Sequence, residues 1–190
     1  MTAFRLRDAD PTLRLFITAF LIVLTAGYAV GLAFVDHTTS TVPSGIEQQF
    51  LGSEASGASG DSIEPAGDLT FPKSPAEMFT LIHNHVFGLS ILFFILGGIF
   101  YFSSLARPGL KRFLMVEPLA GILTTFGGLA LVRYVSPAFS WLVILSGISV
   151  GLCYAAMTLL ILAELWLPSS RSGRSPDRAS PNDPGRRRTP

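Results

Sequence analysis

Two of the three histidines stand one residue apart, His83 and His85, with Asn84 between them, in the stretch SPAEMFTLIHNHVFGLSILFF. Neutral imidazole ligates metals and haem iron, and it titrates near physiological pH, so this is where haem, metal or proton chemistry would be sought. At about 100° per residue the two rings lie about 200° apart on a helix, and a regular helix cannot aim both at one ion. Either can serve alone. A haem b held here needs a second axial ligand, and the candidates are His37 and the thioether of Met78. His85 is ten residues beyond Pro75, or about 15 Å along a helix axis, whereas His37 falls just past the first apolar segment. The two depths must then be matched by helix stagger. The structural alternative is that His83, Asn84 and His85 bond to neighbouring backbone near the membrane surface.

Four other polar side chains fall within apolar sequence: Glu117, Glu164, Arg133 and Cys153. A carboxylate inside a membrane is a functional hypothesis by default, here a proton-accepting site or part of a solute path. Glu117 heads a small-residue stripe, and Glu164 lies near a segment end, where ion pairing with Arg107, Lys111 or Arg112 is the structural reading. Arg133 is expected to snorkel or to pair with Glu77, with a substrate anchor as the functional alternative. Cys153 and Met157 share a helix face four residues apart and could attract a soft metal, although side chains of these types also simply pack. With one cysteine, no intrachain disulfide forms.

The elements that must hold these residues are legible from hydropathy. Hydrophobic residues make up 49% of the 190 and charged residues only 14%, too apolar a balance for an ordinary soluble domain. A hydrocarbon core of about 30 Å needs roughly 20 apolar residues as a helix, and four segments qualify. We read spans at 14–35, 74–105, 113–134 and 138–167. They are flanked by an N-terminal segment 1–13, an acidic and mostly disordered external loop 36–73, a basic loop 106–112 and a disordered basic tail 168–190; within the long loop IEQQFL (46–51) offers one amphipathic turn at the membrane surface, six residues being too few for a stable helix. The first span is long for a signal core, and no small-x-small site follows it, so it reads as a retained anchor. Ser74-Pro75-Ala76-Glu77 reads as a capping box opening the second span. Trp141 and Trp166, about 37 Å apart on a helix, suit the two interfaces.

Charge sets the expected orientation. Twelve of the fourteen Lys and Arg residues lie up to and including the first residue of the first span, between the second and third, or after the fourth; only Lys73 and Arg133 lie on the other side. Asp36, Glu47, Glu54, Asp61, Glu64 and Asp68 crowd the long loop. The positive-inside rule then puts both termini in the cytoplasm.

Small residues mark the faces expected to pack, since close approach and hydrogen bonding drive helix association in lipid. These are Gly27 and Gly31 on the first span, Gly121 and Gly128 on the third with Glu117, and Gly147 and Gly151 on the fourth. On the second span the Thr80, Asn84, Gly88 side is expected to face inward, with His85 on the Leu81, Leu89, Leu92 side.

The fold class is therefore an all-α integral membrane protein, a four-transmembrane-helix bundle with cytoplasmic termini. In size and plan it resembles membrane-bound b-type cytochromes, a resemblance of architecture that implies haem between helices. It departs from them in having no histidine in the third or fourth span. No phosphate loop, GxSxG, CxxC or HExxH occurs, so stand-alone catalysis is not expected, and nucleic acid has no platform. The expected setting is the bacterial inner membrane, multi-pass in the lipid bilayer, with a membrane-protein partner or homo-oligomer assembled through the glycine stripes. The expected role is an accessory or redox subunit, with a proton-coupled small-solute carrier or channel-like protein as the alternative.

Overall fold

The computed structural model describes residues 4–53 and 70–167. Among them are five α-helices: α1 (Pro11–Thr39), α2 (Pro43–Leu51), α3 (Pro75–Tyr101), α4 (Pro108–Tyr134) and α5 (Ser140–Trp166). Single 3-10 turns sit at Leu6–Asp8 and Pro137–Phe139. None of the described residues is in a strand. α1, α3, α4 and α5 are each long and apolar enough to cross a membrane, and their outer surfaces carry exposed Phe16, Val23, Phe94, Leu145 and Leu152, as lipid contact requires.

Local chemistry explains the helix starts. The Asp10 carboxylate accepts from the backbone N–H of Thr12 (2.8 Å) and Leu13 (3.1 Å), with Pro11 at the first helical position. The first helix is thus longer than the span 14–35 at both ends. At α3 the capping box expected from sequence is made: Ser74 Oγ accepts from the Glu77 N–H and the Glu77 carboxylate accepts from the Ser74 N–H at 2.7 Å. Pro118 inside α4 cannot donate to the Leu114 carbonyl.

Part of the loop expected to be disordered is a nine-residue helix. Ser40 and Thr41, both with positive φ, reverse the chain after α1, and Thr41 Oγ1 bonds to Asp36 Oδ1. Pro43 then opens α2, whose Ile46 and Phe50 are buried against Met78, Leu129, Val132 and Val143. The turn depends on Gly45, where a Cβ would lie 1.8 Å from the Thr39 carbonyl oxygen. The rest of the expected loop, 54–69, and the tail 168–190 lie outside the described residues.

α5 contacts every other helix. It forms an antiparallel hairpin with α4, zipped by Thr125 Oγ1 to Ser146 Oγ at 2.7 Å and by close packing at two glycines. A Cβ at Gly121 would meet Val150 Cγ2 at 2.5 Å, and one at Gly128 would meet Val143 Cγ2 at 2.9 Å. α1 runs antiparallel along the other side of α5, where Tyr28 stacks on Tyr154 at 4.3 Å and Thr25 Oγ1 bonds to Tyr154 Oη at 2.9 Å. Past Tyr28 the helix stands away, and residues 29–37 are all exposed.

Candidate functional site

The polar knot of α3 does not face the bundle interior. His83, Asn84, His85, Thr80 and Gly88 are all exposed. The buried residues of α3 are instead Met78, Phe93, Leu96, Gly97 and Phe100. This corrects the inward face expected from Thr80, Asn84 and Gly88: four of these five are bulky side chains, and the one small residue, Gly97, lies beside Met115. His85 stacks on Phe126 of α4 at 5.1 Å, and its Nδ1 lies 2.8 Å from the Leu81 carbonyl oxygen, a local bond that satisfies one ring nitrogen. His83 stacks on Phe87 at 6.2 Å.

These donors do not fit an axially ligated haem. Met78 is 1% exposed and enclosed by Ile46, Phe50 and Leu129, so its sulfur is unavailable beside His85. His37 stands on the exposed last turn of α1. No three of His, Cys, Asp and Glu come together as metal ligands among the described residues.

Two carboxylates are gathered into defined sites. Glu117 lies in the α4–α5 seam, where Ser149 Oγ donates to Oε1 and Cys153 Sγ donates to Oε2 at 3.0 Å. Its half-buried side chain has no basic partner among the described residues. It sits nine residues past Pro108, about 13 Å up the helix.

Glu164 is buried at the end of α5 and accepts Ser103 Oγ (2.5 Å), the Ser104 N–H (2.7 Å) and Ser104 Oγ (2.7 Å) from the turn after α3. The cation beside it is Arg7, with Nε 3.7 Å from Oε1, rather than the expected Arg107, Lys111 or Arg112. Arg7 also bonds to Ser104 Oγ, and the Leu6 N–H reaches the Phe102 carbonyl, so the N-terminal turn is pinned beneath the bundle. Lys111 Nζ donates to the carbonyls of Tyr101 and Ser103 and closes the end of α3. Arg7, Ser103, Ser104 and Ser149 were not singled out from sequence; only the Ser149–Cys153 spacing of four on one helix could have signalled a shared face.

At the opposite end Arg133 Nε donates to the Lys73 carbonyl at 2.8 Å and the guanidinium lies 5.4 Å from the Tyr134 ring centre. Lys73, not Arg133, approaches Glu77, at 3.7 Å.

The glycines divide. Gly121 and Gly128 lie at the α4–α5 contact, and a Cβ at Gly151 would come within 3.2 Å of Tyr28 Oη. At Gly27, Gly31 and Gly147 a Cβ would meet nothing within 4 Å among the described residues, so the packing expected there is not made by them. Gly147 lies about 60° around α5 from the middle of the Val143, Val150, Met157 row that does pack. Gly27 and Gly31 lie where α1 leaves α5.

No curated protein and no solved structure matches the chain. A family model described as a transmembrane helical domain matches residues 40–172, a span that takes in α2 to α5 and leaves α1 ahead of it. On that match the chain belongs to this family of transmembrane helical domains.

Proposed function

We propose that the protein is an accessory subunit of a larger assembly in a bacterial inner membrane, joined to a membrane-protein partner through the outer half of α3. The observation that carries this reading is the exposure of Asn84 beside Thr80, His83 and Gly88. With α3, about 40 Å long, centred and upright in a hydrocarbon core of about 30 Å, Asn84, nine residues from Pro75, falls about 8 Å inside it. Lipid tails offer an amide no hydrogen bond, whereas a neighbouring helix can, and Gly88 one turn on lets a backbone come close. The well-filled core around Phe100, Ile122, Met157 and Ile161, each at most 1% exposed, fits a packed subunit better than a solute path.

The test is co-purification from gently solubilised native membranes. The wild-type chain should carry a stable partner, and Asn84→Leu, which removes the amide without disturbing any described contact, should release it. Recovery of wild type as a bare monomer, or an unchanged complex with Asn84→Leu, ends the proposal.

A proton-coupled carrier is the second reading, favoured by Glu117 alone, a carboxylate held by Ser149 and Cys153 with no cation opposite among the described residues. Glu117→Gln should abolish proton-linked flux in liposomes; flux equal to wild type removes that residue from any such mechanism.

A further inference from the structure

At the end of the bundle where the N-terminal turn meets the α3–α4 link, a pocket of about 330 Å³ is lined by Phe4, Arg5, Tyr101, Ser103, Ser104 and Lys111. Its chemistry is cationic. Arg5 is exposed and makes no side-chain hydrogen bond or ion pair among the described residues. Lys111 gives two donors to backbone carbonyls and keeps a third. Of the carboxylates at this end, Glu164 is already enclosed by Ser103, Ser104 and Arg7, and Asp8 stands exposed on the Leu6–Asp8 turn without lining the pocket. Arg107 and Arg112 stand exposed on the adjoining turn. Phe4, Tyr101 and Phe102, between 43% and 62% exposed, ring the pocket with aromatic surface suited to the headgroup level.

A second concavity lies deeper along α3. It is an apolar groove of about 460 Å³ between α3 and α4, lined by Phe87, Ser90, Ile91, Phe94, Leu119 and Leu123. Phe87, Phe94 and Tyr101 follow one another at seven-residue intervals, so groove and pocket lie on one side of α3. From Tyr101 to Phe87 is about 21 Å along the axis, enough to accompany a chain through half of a hydrocarbon core of about 30 Å. A cationic pocket at the interface and an apolar groove deeper on the same side of α3 together fit an amphiphile with an anionic head. We propose that the phosphate of an anionic phospholipid seats between Arg5 and Lys111 while one acyl chain runs along the α3–α4 groove past Phe94 and Leu119. The proposal does not depend on the accessory reading, because Asn84 lies at the far end of α3.

Native mass spectrometry of the full chain in micelles tests it, with phosphatidylglycerol and phosphatidylcholine of identical acyl chains as probes. Phosphatidylglycerol should be retained over phosphatidylcholine by roughly fivefold for each cation engaged, and Arg5→Gln should lower its retention about fivefold. Arg5 is the informative position, since Lys111 also closes α3 and its loss could disturb the fold. Leu119→Trp, which fills the groove, should release lipid while leaving the helical content unchanged. Glycerol 3-phosphate, which carries the same anion without a chain, should not displace the lipid at matched concentration. Equal retention of the two lipids, or retention of phosphatidylglycerol undiminished in Arg5→Gln, overturns the headgroup site. Undiminished retention in Leu119→Trp, or displacement by glycerol 3-phosphate, overturns the lipid assignment.

Discussion

Glu117 and Glu164 are both carboxylates inside spans, and their surroundings separate them. Glu164 accepts from two hydroxyls and a backbone N–H and lies beside Arg7, so its charge is distributed over groups belonging to three parts of the chain. Removing it strands the Ser103 hydroxyl in a buried place, while Ser104 stays exposed. At about 1–3 kcal/mol for a buried donor left without a partner, Glu164→Ala should lower stability in micelles by roughly that much. Glu164→Gln, which keeps one acceptor oxygen, should lose less. Chemical unfolding followed by helical circular dichroism measures both, and equal stability of all three proteins would show that the turn after α3 holds without this anchor. The position of Glu164 near a basic boundary was readable in the sequence. Its partners were not, because Ser103 and Ser104 lie some sixty residues away in a turn with no periodicity, and Arg7 sits in a short segment ahead of α1.

Among the elements, α4 and α5 show most directly how much a small-residue pattern can say. Both helices carry glycines at spacings that suggest packing, yet only those opposite a partner side chain are packed. Gly121 and Gly128 face Val150 and Val143, whereas Gly147 faces no atom within 4 Å. Inserting a methyl group into a filled seam costs about 1–3 kcal/mol. Gly121→Ala should therefore destabilise the hairpin by that amount, while Gly147→Ala should stay within about 0.5 kcal/mol of wild type. Thermal or denaturant unfolding of the two variants compares them directly, and a larger effect at Gly147 would mean that the seam is rotated from the one described. The spans, the capping box at Ser74 and the antiparallel hairpin could be read from hydropathy, cap residues and loop length. The facing rotations could not, because a helix buried in lipid is apolar all round and its sequence carries little amphipathic signal. Of α2 only the amphipathic turn at 46–51 was readable, and a helix of nine residues is too short to be stable alone; Ile46 and Phe50 hold it once Met78 and Val143 are there to meet them.

At the scale of the whole molecule, packing and charge bear separately on orientation. Leu6 bonds to Phe102, Arg7 reaches Glu164, and Trp166 Nε1 donates to Thr18 Oγ1, so the N-terminal turn, the α3–α4 link and the end of α5 share one face of the bundle. Arg133 to Lys73 and Ser140 to Glu47 tie the α4–α5 link, the start of α3 and α2 together at the other. Arg5, Arg7, Arg14, Arg107, Lys111 and Arg112 all lie toward the first face; Asp36, Glu47 and Glu77 lie toward the second. Contacts alone fix which groups travel together and leave the bundle free to insert either way up; the cations retained near the site of synthesis break that tie. The expected orientation therefore has the Glu164 end in the cytoplasm and the α2 end outside. A single cysteine introduced at Ser136, in a Cys153→Ala background, should react with a membrane-impermeant maleimide added to intact cells, and one at Arg107 should react only after lysis. The reverse pattern would invert the bundle, place Asn84 in the cytoplasmic leaflet, and move the partner sought through α3 to that side of the membrane.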